Sequence, residues 1–198
     1  MNHKPYSESC DQNRDPIFEV IQPLLKDKKN LLEVGSGTGQ HAVYFAKDMP
    51  HLIWQTSDQL AYHHGIMRWL DDAGLKNTPS PIPLNVSTDT WPDEKYDVIF
   101  SANAIHIMAW ENVIDFFKNA PKLLEAGGLF ILYGPFNYNK QYTSESNARF
   151  DIWLKQRDPN SAIRDFEAVD KLAKAEGMIL QSDHALPANN RILVWEKA

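Results

Sequence analysis

Apolar positions along this chain keep two rhythms in alternation, a helical one and a strand-like one. At residues 15–26, Ile17, Val20, Ile21, Leu24 and Leu25 repeat at helical spacing. Asp15 is placed to cap that helix, and Pro16 falls in a first turn that needs no N–H. A short apolar run at 31–34 stops at glycines and reads as a strand. Residues 40–47 read as a helix and 52–57 as a second strand. Over 59–73 the spacing puts Tyr62, Ile66, Trp69, Leu70 and Ala73 on one face, with Gly74 as the stop. A proline-rich connection at 78–83 runs into a weak third strand at 81–86, and a fourth strand follows at 96–102. A helix at 111–125 turns Val113, Ile114, Phe117 and Leu124 inward and ends before Gly127 and Gly128; a fifth strand follows at 129–133. The spacing predicts another helix at 165–176, with Asp165 as its cap and Gly177 after its end. The runs at 178–183 and 191–196 leave no room for a crossover helix, which predicts an antiparallel hairpin.

Strands alternating with helices predict an α/β fold, a doubly wound, mostly parallel seven-stranded sheet closed by that hairpin. One domain over 1–198 is expected, with a helical segment at 1–28. Residues 134–164 form a connection far longer than the ~2–6 residues usual in such folds, the mark of a lid or substrate segment. It should carry its own helix near 144–156, with Phe150, Trp153 and Leu154 on one side.

Composition removes several function classes. A net charge of -6 without a basic run is a poor match to nucleic acid, which needs clustered Lys and Arg. No apolar run approaches the ~18 residues of a membrane span, and the stretch 1–14 lacks the apolar region of a signal peptide. A cytoplasmic protein, monomeric or weakly dimeric, is expected. Cys10 is the single cysteine, so no disulfide closes within the chain. His63 and His64 are adjacent and share no helical face, so no metal site is expected.

The informative segment runs from Leu31 to Gln40. An apolar strand enters three alternating glycines, Gly35, Gly37 and Gly39, and a helix follows. Such a turn lets a ligand approach the backbone beside free N–H groups. Glycine at position 40 would complete a dinucleotide fingerprint, but Gln40 stands there. Glu33 would repel a pyrophosphate and suits an ammonium or sulfonium ligand, which also disfavours a nicotinamide-dependent reductase.

Glu33-x-Gly35-x-Gly37-x-Gly39 resembles the first motif of class I S-adenosylmethionine-dependent methyltransferases. Thr56-Ser57-Asp58, Leu84-Asn85-Val86, the run 96–100 and the run 124–130 resemble four further motifs in the same order. The resemblance implies the methyltransferase version of the Rossmann-like fold and S-adenosylmethionine as cofactor. Asp58 would hold the ribose hydroxyls, and Glu33 the amino-acid end. Asn85, where the family usually has an acid, and the Val86 amide would face the adenine. Asn103 would lie beside the methionine portion, and Arg14 would reach its carboxylate. The runs 13–17, 101–107 and 133–136, with 143–147, are similar to a narrower branch, the methyltransferase-like 26 proteins, for which no substrate is implied.

With an already activated methyl group, alignment of the acceptor supplies much of the catalysis, ~7–11 kcal/mol. A base adds to that for a hydroxyl acceptor. His106, beyond the fourth strand, is the first candidate, on an expected pKa near neutrality, and Tyr138 the second. The acceptor is expected to be a small molecule. A non-catalytic adenosyl-binding or interaction module is the alternative.

Overall fold

The computed structural model describes residues 4–198; residues 1–3, at the head of the expected 1–28 segment, lie outside the described residues. Strands β1 (Asn30–Val34), β2 (Ile53–Asp58), β3 (Ile82–Pro83), β4 (Tyr96–Ala102) and β5 (Leu124–Asn137) are parallel and ordered β3-β2-β1-β4-β5. A two-residue strand, β6 (Arg164–Asp165), pairs with Phe136 and Asn137 at the far end of β5, one strand beyond the expected seven. The hairpin β7 (Met178–Leu186) and β8 (Asn190–Lys197) is antiparallel, and β8 lies against β5.

Both faces of the sheet are buried, as a parallel sheet requires. Alternate side chains sort to opposite sides. Leu31, Val98, Phe100 and Ile131 pack on one face with helices α1 (Glu8–Leu24), α2 (Gln40–Asp48) and α3 (Leu60–Ala73). Leu32, Ile99, Phe130 and Leu132 pack on the other with α4 (Trp110–Asn119), through Val113 and Phe117. Helix α5 (Glu145–Arg157) lies in the long connection, and α6 (Phe166–Ala175) completes the second face through Val169 and Ala173.

Several elements depart from the pattern for identifiable reasons. Helix α1 starts seven residues before Asp15, so Asp15 is internal and accepts a hydrogen bond from the Tyr44 hydroxyl instead of capping, and Pro16 lies inside the helix. The extra turns are held by tertiary contacts: Ser7 N donates to Gln40 Oε1 at 2.6 Å, and Gln40 Nε2 donates back to Ser7 O. Pro121 removes a helical donor, so α4 ends at Asn119 and a 3-10 turn, Ala120–Leu123, replaces the predicted tail. Pro81 and Pro83 likewise leave β3 only two residues long. β5 runs four residues past Tyr133 because β8 pairs with it as far as Pro135 and β6 beyond. Tyr62 and Ala73, expected inward on α3, are exposed. Asp165 stands at the N-cap of α6 but makes no side-chain cap hydrogen bond.

Asn77, in the connection before β3, was not legible as a structural residue. Its buried Nδ2 lies 2.9, 3.1 and 2.9 Å from the carbonyls of Ala46, Met49 and Leu52, closing the turn between α2 and β2. Asn77→Ala leaves buried acceptors unmatched and is expected to cost about 2 kcal/mol. Urea unfolding of parent and variant checks this; equal midpoints would contradict it.

Candidate active site

The strand order reverses between β1 and β4, so the crevice outside their carboxyl ends is the natural ligand position. Val34 leads there into the glycine turn, and Ala102 into Asn103. Gly35 N and Ser36 N both donate to Ser57 O at 3.0 Å, and the Ser57 hydroxyl donates to Glu33 O at 2.7 Å. These bonds fix the turn against the end of β2. Gly39, at φ +86°, opens α2, and a Cβ there would lie 3.2 Å from the backbone of Ile66. At Gly37 the same Cβ would meet nothing within 4 Å. The turn therefore packs tightly on the α3 side and faces open space at its tip.

Asp58 closes this turn. Its Oδ2 accepts from Gly37 N and its Oδ1 from Gln59 N, both at 2.7 Å. Burial raises its pKa, against the two backbone donors that lower it. Glu33, on β1 two residues before the turn, is buried, and Trp54 Nε1 donates to its Oε2 at 3.1 Å. Desolvation pushes its pKa up to about 7, against the Trp54 and Ser36 hydrogen bonds, and the nearby negative charge of Asp58 adds to the rise. A carboxyl so placed gains from a cation brought beside it. That fits the ammonium end of S-adenosylmethionine, and the paired acceptors of Asp58 fit two ribose hydroxyls.

The remaining expected cofactor residues vary. Asn103 stands at the end of β4 with φ 56°, its N–H donating to Tyr133 O. Val86 is buried, and its carbonyl accepts from Trp91 Nε1. The Asn85 side-chain oxygen accepts from Ser87 N in a local turn, so an adenine amino group would have to share it. Arg14 is turned to Asp11, at 2.7 Å, and lies over the Tyr44 ring. The same Asp11 Oδ1 lies 3.5 Å from Nε2 of Gln40, the residue directly after the glycine turn. Cys10 is half-buried in α1, and burial pushes its thiol up, away from nucleophilic use.

Beside the crevice lies a cavity of about 830 Å³. Its walls come from α1 (Gln12, Asn13), the loop after β4 (Asn103, His106), the end of β5 (Tyr133, Pro135), α5 (Phe150, Trp153) and the β7–β8 turn (Pro187, Asn190). The long 134–164 connection thus does reach the cavity, through one face of α5. That helix starts where expected, with the Ser144 hydroxyl accepting from Asn147 N as its cap.

His106 lines this cavity, with its Nδ1 buried and without a hydrogen-bond partner. A side chain at position 134 would come within 3.6 Å of that atom, so Gly134 keeps the approach open. Burial, helped by the positive charge of Arg164, lowers the imidazole pKa to about 4. This corrects the expectation of near-neutral titration: the apolar setting penalises the cation. Arg164, missed in the sequence, holds the loop: it donates to the carbonyls of Ile105, Met108 and Asn160. Tyr138 is not brought to the cavity. Its hydroxyl donates to Asp183 Oδ2 at 2.7 Å, its ring stacks on Phe166, and burial with the Asp183 contact holds its pKa far above the usual range. Phe136, on β5 two residues before Tyr138, is core. Among the described residues, no group of three acidic, histidine or cysteine side chains is arranged to hold a metal, and no helix is long and apolar enough to cross a membrane.

Solved structures share this fold at low identity. An S-adenosylmethionine-dependent methyltransferase, SibL, matches 96% of this chain with a TM-score of 0.81 at 18% identity. The mitomycin 7-O-methyltransferase MmcR gives 0.84 at 14% identity over 96% of the chain. An O-methyltransferase family 2 protein from Planctomyces limnophilus DSM 3776, solved with apigenin, gives 0.82 at 14% over 96%. The chain spans 55%, 54% and 60% of their respective lengths. The shared feature is the Rossmann-like fold, with its parallel sheet and antiparallel C-terminal strands. A family model described as a protein of unknown function, DUF938, matches residues 4–197, and the chain belongs to that family.

Proposed function

We propose that this protein is an enzyme that binds S-adenosylmethionine at the glycine turn and transfers its methyl group to a small molecule held in the adjoining cavity. The observation that carries this reading is a juxtaposition. A turn closed by the Asp58 carboxylate, with buried Glu33 beneath it, adjoins through Asn103 a cavity large enough for a small organic molecule. The solved proteins of like fold are named as S-adenosylmethionine-dependent or O-methyltransferases, and another, PigF, was solved with SAH. The similarity of residues 101–107 and 133–136 to the methyltransferase-like 26 branch agrees with this reading.

In this reading Gly35, Gly37 and Gly39 shape the backbone around the cofactor. Asp58 exchanges its contact with Gly37 N for the ribose hydroxyls. Glu33 faces the ammonium, Asn85 and the Val86 amide the adenine, Asn103 the methionine chain, and Arg14, from α1, the cofactor carboxylate. The cofactor supplies a sulfonium-activated methyl group. The protein's own residues align the acceptor in the cavity, exclude water, and offer the His106 imidazole to its proton. The whole chain acts as one domain, and its acidic balance keeps nucleic acid out of the role of acceptor.

Calorimetry with S-adenosylhomocysteine tests the cofactor half. Binding is expected for the parent, with affinity falling about tenfold in Asp58→Ala, the loss of a charge-assisted hydrogen bond. Undiminished binding by the variant would reject the site. Label transfer from methyl-labelled cofactor into metabolite extract tests the enzyme half, and binding without transfer to any acceptor would favour the adenosyl-binding module.

A further inference from the structure

We infer that the cavity takes a planar, fused-ring aromatic acid whose hydroxyl points to His106 and whose carboxylate points to Arg157. This rests on the methyl-transfer reading of the site and names the acceptor class within it. Helix α5 presents Phe150, Trp153 and Arg157 to the cavity at three- and four-residue spacing. They form a continuous ladder. The Phe150 ring meets His106 edge-on at 5.4 Å, Trp153 stacks on Phe150 at 5.6 Å and 19°, and the Arg157 guanidinium lies 4.6 Å over Trp153. The two faces of Trp153 are taken by Phe150 and Arg157, so the row offers ring edges from floor to mouth, and edges can meet the face of a flat ligand. Trp153 is 47% exposed, and a flat ligand lying across its edge would cover that surface.

Charge points the same way. Asp and Glu make up 26 of the 198 residues, yet none lines the cavity. Arg157 is the one permanent charge on its wall, and it makes no ion pair among the described residues. A guanidinium held over an indole still has N–H donors to offer a carboxylate. In a protein of net charge -6, a cavity cleared of acids admits an anion that the rest of the surface would repel. At the other end, neutral His106 holds a buried nitrogen without a partner. A hydroxyl satisfies that nitrogen in either tautomer, as donor or as acceptor.

The probe is 6-hydroxy-2-naphthoate, which carries the two groups at opposite ends of a fused pair of rings. Its uncharged amide, 6-hydroxy-2-naphthamide, is the control. Calorimetry is run with the full chain saturated with S-adenosylhomocysteine, after that ligand's own binding is measured. The acid is expected to bind about fivefold more tightly than the amide, the scale of one exposed ion pair. Arg157→Gln should abolish that preference without changing affinity for the amide, and Trp153→Ala should weaken both ligands. Equal binding of acid and amide, a preference that survives Arg157→Gln, or no binding of either ligand to a protein that binds S-adenosylhomocysteine would each overturn the proposal. Failure of S-adenosylhomocysteine itself to bind, with the naphthoate results as expected, would overturn the cofactor reading and leave the cavity's assignment supported.

Discussion

Glu33→Gln is expected to stabilise the protein at pH 8 by about 3 kcal/mol while weakening S-adenosylhomocysteine binding about tenfold or more. The stability half follows from burial. The Glu33 carboxyl, at 2% exposure, titrates near 7 in place of its ordinary 4.5, chiefly through desolvation. Below pH 4.5 it is protonated whether the chain is folded or unfolded and costs nothing. Between 4.5 and 7 the unfolded chain releases the proton and the folded chain keeps it, so stability falls as pH rises. Above 7 the full cost of a buried charge is present, at ~1.36 kcal/mol for each unit of displacement. Glutamine keeps the oxygen that accepts from Trp54 and removes that charge. Chemical denaturation at pH 5 and pH 8 checks the sign, because the variant's advantage should be small at the lower pH and large at the higher.

The two buried imidazoles oppose this trend. His41 and His106 both titrate near 4 because burial disfavours their cations. Protons therefore favour the unfolded chain between 6.5 and 4, and stability is lost as pH falls through that window. In the parent, Glu33 offsets part of that loss. Without Glu33 the acid side of the profile should steepen. A carboxyl kept at such a cost beside the glycine turn is what a trade of stability for ligand binding would leave. Unchanged stability at pH 8 would show that the carboxyl is relieved by something other than a ligand, and unchanged binding would separate Glu33 from the cofactor.

The layered fold was legible because the chemistry that sets it is local. Continuous apolar runs such as Leu31-Leu32 and Val98-Ile99-Phe100, in which successive side chains go to opposite buried faces of the sheet, are separated by turn residues. The glycine turn was legible because its backbone demands small residues at fixed spacing, and Asp58 because it ends the neighbouring strand. Three things were not legible. Helix α1 extends over polar residues that have no helical apolar face; tertiary partners such as Gln40 and His41 decide it. Tyr138 reads like a pocket residue, but the direction of its side chain depends on Asp183, 45 positions away. Arg164 reads as one more surface charge, and its buried role depends on two loop carbonyls, of Ile105 and Met108, that lie more than fifty positions away. An imidazole's titration is equally non-local, which is why the expected near-neutral His106 gives way to one near 4.

His106→Gln is expected to lower kcat about 10²-fold for an acceptor hydroxyl while leaving the Kd for S-adenosylhomocysteine within about twofold. The position of the ring supports this. It stands in the loop that follows β4, its Nδ1 buried and unpaired, with Gly134 leaving space in front of it. The loop is clamped by Arg164 and by two bonds from the next connection: Ala162 N donates to His106 O at 3.0 Å, and the Ser161 hydroxyl donates to Ile107 O at 2.8 Å. The imidazole is therefore held ready rather than recruited. Its low pKa leaves it unprotonated throughout the neutral range, able to accept a proton, but makes it a weak base; the effect belongs at the lower end of the ~10²–10⁴-fold range for positioned bases. Glutamine fills the space and offers a hydrogen bond but cannot take a proton at neutral pH. In the parent, the acid limb of kcat should lie near pH 4 and not near 6.5, and it should vanish in the variant. A limb near 6.5 would place the working imidazole in solvent, and an unchanged kcat would reduce His106 to a wall of the cavity.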